Sequence, residues 1–344
     1  MPNPLVSIIE DDARRIVAAV DMKTLAGKNI LLTGASGLLG INFLACFKEA
    51  VRQKYAPFSV TATVFSKPSA LFKDFSDFKG AFIMQGDLTD LNFINKLKKF
   101  DYIIHAAGYG QPGKFMEDQI KTIKLNTSVT LELFNHLVGE GCFLFISTAE
   151  VYSGLDACPY KESHIGTTNP THPRSCYIEA KRCGEAICNA YRARGVYAYS
   201  ARVALAYGPG TKPFDRRVLN SFIERGLTQK RIILQDAGLA KRTYCYISDT
   251  IEILFNILLH GSQPVYNVGG ISRTTIADLA RQIGNYIGVP VEFPKNTKGM
   301  KDAPDDVCLD MGLVEKEFNK RNYIALREGL LKTIEWQKAL YSSK

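Results

Sequence analysis

The chain has 344 residues and a formal net charge of +9, long enough to bury a large core and to build one large domain with an appended lobe. Its basic residues are scattered, the densest cluster being Lys96-Leu97-Lys98-Lys99 in a helical stretch, so the charge suits anionic small ligands and argues against nucleic acid. The eight cysteines form no CxxC pair, no histidine cluster has zinc spacing, and no run of roughly eighteen apolar residues occurs, which argues against a metal site, a membrane span and secretion, and for free thiols in a cytoplasmic protein.

Along the chain, Ile8, Ile9, Ile16, Val17 and Val20 recur at helical spacing, so residues 1–26 are expected to form a leader helix packed on the main domain, with a dimer contact as its other use. Next comes the apolar run Ile30-Leu31-Leu32 with Thr33, then Gly34-Ala35-Ser36-Gly37-Leu38-Leu39-Gly40, then a helical pattern through Phe43, Leu44 and Phe47. A strand, a glycine turn and a helix N-terminus let backbone N–H groups approach a pyrophosphate, which makes Gly34, Ser36, Gly37, Leu38 and Gly40 candidates for holding a dinucleotide. The spacing is GxxGxxG rather than the GxGxxG of the standard fingerprint.

Strand-like runs then alternate with amphipathic stretches: 29–33, 60–65, 81–84, 102–105, 143–147 and 198–203. Six strands separated by helices imply βαβ units, hence an α/β, Rossmann-type doubly wound parallel sheet over residues 27–205, with ligands beyond the C-terminal strand ends. After about residue 205, Pro209, Gly210 and Pro213 mark a loop and shorter elements follow, so residues 206–344 are expected to form mainly a smaller C-terminal lobe interleaved with the sheet. Between the fifth and sixth strands, Tyr177-Ile178-Glu179-Ala180-Lys181 puts a phenol and an amine on one helix face. A tyrosine alone titrates near pH 10, and a fixed positive charge within a few ångströms favours its ionised form, so the pair reads as proton-transfer equipment.

The glycine turn, Ser147-Thr148-Ala149-Glu150-Val151-Tyr152, and Tyr177 with Lys181, in that order, resemble the extended short-chain dehydrogenase/reductase family, in particular its nucleotide-sugar epimerases, dehydratases and decarboxylases. The resemblance covers roughly residues 28–340, with further matches at Gly86-Asp87-Leu88, His105-Ala106-Ala107-Gly108, Tyr207-Gly208-Pro209 and Arg242-Thr243-Tyr244-Cys245-Tyr246-Ile247-Ser248-Asp249. It implies a bound NAD, a nucleotide-diphosphate sugar as substrate, a C-terminal substrate-binding lobe and a homodimer. By the same likeness Asp87 and Leu88 would contact the adenine, and Ala106, Ala107 and Gly108 would let the cofactor lie close. The second strand ends in Phe65-Ser66-Lys67, without the acidic residue that repels a 2′-phosphate, so NADP stays open beside NAD.

In the resembling enzymes the hydroxyl at Thr148 binds the sugar oxygen, the tyrosine at Tyr177 takes its proton, and the lysine at Lys181 steadies phenolate and ribose while C4 is oxidised. Dehydratases carry aspartate then glutamate after that threonine; here the pair is Ala149-Glu150, so the usual acid is missing. Decarboxylases of UDP-glucuronate, the group most resembled, keep the threonine and glutamate and use an arginine matched by Arg242, and a 4-keto group makes the C5 carboxylate a β-keto acid that loses carbon dioxide readily. The plain alternatives are a turn residue at Thr148, a surface carboxylate at Glu150 and an Arg242–Asp249 ion pair. Relatives place an asparagine where Leu205 stands, so Arg217 becomes a candidate diphosphate anchor, with a solvated charge as its alternative. A 4-epimerase, a 4,6-dehydratase, an NADPH-dependent 4-keto reductase and a non-catalytic dinucleotide sensor are the competing functions.

Overall fold

Parallel strands at the centre of a sheet must be covered on both faces, and alternate residues of the central strands here point to two separate clusters. The computed structural model describes residues 4–55, 57–156, 158–294 and 306–342. Residues 1–3 of the expected leader, and residues 295–305, 343 and 344 of the expected C-terminal lobe, lie outside the described residues. Strands β1 (Asn29–Thr33), β2 (Ser59–Val64), β3 (Ala81–Gln85), β4 (Phe100–His105), β5 (Leu137–Thr148) and β6 (Tyr197–Val203) form the main sheet together with a seventh, Val265–Val268. The spatial order is seventh, β6, β5, β4, β1, β2, β3, and every neighbouring pair is parallel. The chain order reverses between β1 and β4, which is where an open α/β sheet leaves a crevice for a ligand.

Ile30, Leu32, Ile104, Leu144 and Ile146 point to one cluster, where Phe43 and Phe47 of the helix Leu38–Arg52 meet Phe255 of the helix Ile247–His260. Leu31, Ile103, Phe143 and Phe145 point to the other, under Leu125, Val129, Leu133 and Cys188. The expected six-strand sheet is thus one strand short. Val265–Val268 pairs with Ser200–Val203 although it follows the loop region in sequence; four residues, one of them asparagine, carry too little periodicity to be read as a strand. The fifth strand also begins earlier than its apolar run, because Gly139 and Gly141 mask its first half.

Residues beyond 205 build smaller sheets as well. Lys241–Tyr246 pairs in parallel with Ala206–Tyr207 and with Asp306–Val307, and antiparallel with Ser272–Thr275. No helix among the described residues is long and apolar enough to cross a membrane.

The leader forms the helix Pro4–Ala19, and its apolar face is spent within the molecule: Ile9, Ala13, Ile16 and Val17 are buried against Leu38–Arg52, Ile247–His260 and Leu326–Ser342. At about 1.5–3 kcal/mol for each large aliphatic side chain, this burial holds the helix in place. Polar contacts set its register. Asp12 is buried, accepts from Tyr246 Oη at 2.6 Å and pairs with Lys332 Nζ at 3.0 Å, while Arg15 reaches Ser248 and Asp249. Removing one donor from a buried carboxylate costs about 1.5–3 kcal/mol. Tyr246→Phe should lower the unfolding free energy by about that amount in urea titrations; an unchanged midpoint would show that the contact carries no stability.

Candidate active site

A cavity of about 1550 Å³ opens over the C-terminal ends of β1, β4, β5 and β6, lined among others by Gly34, Gly37, Gly108, Thr148, Tyr177 and Arg242. It exceeds the roughly 300–1,000 Å³ of a pocket for one drug-sized ligand, so it has room for a dinucleotide and a second molecule.

One end is built by the glycine turn. Gly34 has φ +67°, and a Cβ there would stand 2.5 Å from the Ala106 carbonyl; at Gly40 it would stand 2.5 Å from the Gly34 carbonyl. Only glycine lets the turn press against both β4 and its own helix. Gly37 caps Leu38–Arg52 without a side-chain hydrogen bond, so the first N–H groups of that helix stay available for an anion. Ser36, Leu38, Ser66, Asp87, Leu88, Ala106 and Ala107 also line the cavity, whereas Lys67 is exposed and does not. Lys121, which no local motif singles out, pairs with Asp87 at 2.6 Å and lies 4.0 Å above the Phe65 ring. Partial burial works against the Asp87 charge, but Lys121 and Thr89 hold the carboxyl below its usual range.

His105 joins β1 to β4 under this floor. Its Nε2 faces the Leu125 carbonyl at 2.9 Å, which can only accept, so that nitrogen carries the proton and Nδ1 accepts from Thr33 Oγ1 at 2.8 Å. Thr33 Oγ1 accepts in turn from the Ala107 N–H at 3.1 Å. Burial pushes the imidazole down to about 4 from 6.5. Between these values the unfolded chain binds the extra proton, so stability rises with pH in that window and is lost as pH falls from 6.5 toward 4. The loss is at most about 3 kcal/mol. His105→Gln should flatten that part of the stability–pH curve in denaturant titrations; a variant that keeps the wild-type slope would assign it elsewhere.

The catalytic candidates converge at the other end. Thr148 closes β5 and its hydroxyl accepts from the Glu150 N–H at 3.2 Å, which starts the turn that carries Glu150 into the cavity. Thr148 is therefore a turn residue and a cavity residue at once. Tyr177 and Lys181 stand on the helix Ser175–Arg192, 8 % and 6 % exposed. The Tyr177 ring stacks flat on Phe115 at 4.4 Å. Lys181 Nζ donates to the Ile146 carbonyl at 2.5 Å and lies 5.9 Å from the Tyr177 ring centre.

The expected acidification of the phenol by this amine is not what the structure shows. Burial drives the Tyr177 phenol well up, the Glu150 charge adds to the rise, and a side-chain hydrogen bond with Thr148 and the guanidinium groups of Arg174 and Arg217 pull it down. Burial also lowers Lys181 to about 7 against the opposing pull of Glu185. That carboxylate is committed elsewhere: Arg202 grips it through Nε at 3.0 Å and Nη2 at 2.7 Å, and Ser147 donates to it at 2.5 Å.

Glu150 is no mere surface carboxylate. Its side chain is 29 % exposed, its Oε1 is paired with Arg174, and its Oε2 is sealed without a partner. Burial raises its pKa and Arg174 opposes the rise. Arg217 is not a solvated charge: it grips Asp215 through Nε at 3.0 Å and Nη2 at 2.6 Å while lining the cavity. An Arg242–Asp249 pair does not form, because Asp249 takes Arg15 and Lys320; Arg242 lines the cavity and donates to the Lys241 carbonyl at 2.7 Å. Leu205 lines the cavity with φ +46°, a left-handed conformation that asparagine adopts more readily. Arg174 and Phe115 escaped the sequence reading. Arg174, three residues before Tyr177 and so on its face of the helix, was the detectable one.

The lining thus fits a dinucleotide: a glycine turn at a free helix N-terminus, small residues along β4, and open space beside Lys181, where a Cβ on Gly108 would meet nothing nearer than 3.9 Å. A family model described as "NAD dependent epimerase/dehydratase family" matches residues 30–269, and the chain belongs to that family. It is an NAD-dependent enzyme that modifies a nucleotide sugar. UDP-glucuronic acid decarboxylase 6 of Arabidopsis thaliana is 28 % identical over 303 residues, 88 % of this chain and 86 % of its own. UDP-glucuronic acid decarboxylase 1 of Xenopus tropicalis is 27 % identical over 90 % of this chain and 72 % of its own. Among solved structures, dTDP-glucose 4,6-dehydratase of Streptomyces venezuelae, with NAD bound, superposes with a TM-score of 0.78 at 21 % identity, over 92 % of this chain and 98 % of its own.

A positioned proton-transfer group is worth about 10²–10⁴-fold in rate. Tyr177→Phe should cost turnover that much while NAD binding, followed by calorimetry, stays close to wild type; unimpaired turnover would remove Tyr177 from the chemistry.

Proposed function

We infer that the protein decarboxylates UDP-glucuronate, as a cytoplasmic homodimer whose residues 206–344 form most of the substrate-binding lobe. The observation that carries this reading is Ala149 beside Glu150. The position that would need a second carboxyl to expel water holds a methyl group, while Thr148, Glu150 and Tyr177 share one cavity with Arg242. The decarboxylases among its relatives support the same reaction.

Gly34, Ser36, Gly37, Leu38 and Gly40 would hold the pyrophosphate of NAD, Ser66, Asp87 and Leu88 its adenosine, and Lys181 the nicotinamide ribose. The bound cofactor supplies reversible acceptance of hydride, which no side chain offers. Thr148 holds the C4 oxygen of the sugar and Tyr177 takes its proton. The ketone left at C4 turns the C5 carboxylate into a β-keto acid. The C5–C6 bond breaks, carbon dioxide leaves, and the electron pair passes to the C4 oxygen. A proton then adds at C5, restoring the ketone, and Tyr177 returns a proton to the C4 oxygen as that carbon is reduced again. Arg242 and Arg217 would bind the carboxylate and diphosphate.

Incubation with NAD and a panel of nucleotide sugars, with product masses read by mass spectrometry, tests the reading. Loss of carbon dioxide from UDP-glucuronate is the expected result; an unchanged mass would point to epimerisation, loss of water to dehydration and gain of hydrogen to reduction. Glu150→Gln should slow the steps after oxidation more than oxidation itself, visible as a build-up of reduced nicotinamide absorbance; equal loss of both would remove that role.

A further inference from the structure

Arg174 has no role in the mechanism above, yet it meets both the segment that carries Glu150 and the helix that carries Tyr177. It lies at the start of the Ser175–Arg192 helix, where its carbonyl accepts from the N–H groups of Tyr177 and Ile178, both at 3.1 Å. Its guanidinium pairs with Glu150 Oε1 and sits 5.6 Å from the centre of the Phe115 ring, the same ring on which Tyr177 stacks. One side chain thus bridges the turn after β5, which carries Glu150, and the helix that carries the phenol.

The polar atoms left over around this pair are informative. Arg174 Nε and Glu150 Oε2 are both sealed from solvent and without partners, whereas the buried pairs Arg202–Glu185 and Lys320–Asp249 are closed ion pairs. A buried unpartnered carboxylate oxygen is costly, and it persists beside a reaction centre where a ligand or a proton uses it. Arg174 occupies Oε1 and so leaves Oε2 as the carboxylate oxygen without a hydrogen-bond partner. The other charged and titratable groups around Glu150 do other work: Tyr177 stacks on Phe115, Arg182 binds the Val151 carbonyl at 2.6 Å and Glu179 at 2.6 Å, and Arg217 grips Asp215.

We propose that Arg174 is the positioning residue of this centre, clamping Glu150 by Oε1 so that Oε2 donates the proton that C5 acquires after carbon dioxide leaves. In that step the O–H bond of the Glu150 carboxyl breaks, a C5–H bond forms, the enolate collapses to the C4 ketone, and Glu150 becomes a carboxylate that regains its proton from water. Burial raises the Glu150 carboxyl above its usual range and the Arg174 guanidinium opposes the rise, so loss of the guanidinium should raise it further.

The inference rests on the decarboxylase reading for the identity of the proton's destination, and the two can fail separately. If wild-type protein releases no carbon dioxide from UDP-glucuronate, the reading of the reaction fails; the clamp is decided by the variants. Arg174→Gln should reduce kcat about 10²-fold with KM and NAD binding little changed, and Arg174→Lys should recover part of the loss. In a Glu150→Gln background the same substitution should cost less than about threefold, because the two act as a unit. Independently of activity, difference infrared titration of the Glu150 carboxyl, assigned by its disappearance in Glu150→Gln, should show it protonating at higher pH in Arg174→Gln than in wild type. Full additivity of the two substitutions, or an unmoved carboxyl titration, overturns the proposal, and thermal unfolding of each variant separates both from a folding defect.

Discussion

A lysine amine buried at the end of a parallel sheet, with a main-chain carbonyl as its hydrogen-bond partner, is the constraint on which the site turns. Lys181 sits there because the Ser175–Arg192 helix packs against β5 and β6, and because Glu185, one turn further along that helix, is held by Arg202 and Ser147. Neutralising Lys181 with a dedicated counter-ion would quench the charge. Leaving Glu185 at a distance tempers the cost of burial without doing so. The lysine is therefore poised, and open space beside Gly108 leads from it into the cavity.

The rest of the molecule supplies the rigidity that such a group demands. His105, Thr33 and the Ala107 N–H tie β1 to β4 where the sheet order reverses, at the point where Gly34 presses against Ala106. A returning strand, Val265–Val268, extends the sheet beside β6, and its Asn267 binds Tyr152 Oη at 2.7 Å, itself in contact with Arg202 at 2.8 Å. The C-terminal half of the chain thus braces the back of the cavity wall. The leader helix closes the opposite layer through Asp12, Tyr246 and Lys332, joining three distant stretches of sequence in one buried polar contact.

The fold is legible in the sequence where one local pattern dictates one local structure. The strand–glycine turn–helix, the alternation of strands and helices, and the Tyr177–Lys181 spacing each encode geometry over a few residues, and the cavity collects all of them. It is not legible where geometry is set at long range. The Val265–Val268 strand is legible only through its partner β6, and the Arg15–Asp249 and Arg217–Asp215 pairs depend on how segments meet. Tyr177 shows the same limit in electrostatics. Helical spacing placed the amine near the phenol, but the balance between burial, Glu150 and Arg174 follows from tertiary packing, and here burial dominates. Arg174 lay one helical turn before Tyr177 in plain view; what hid it was the absence of a partner within reach of local pattern, since Glu150 stands twenty-four residues earlier.

The central claim is that Tyr177, Thr148 and Lys181 support a closed cycle in which the hydrogen removed from C4 of the sugar is the one returned to it. Turnover of UDP-glucuronate deuterated at C4, in ordinary water with the products analysed by NMR, tests this most directly. The label should reappear at C4 of the pentose, with a solvent-derived hydrogen at C5. Loss of the C4 label to solvent, or a product formed with C4 never oxidised, would contradict it.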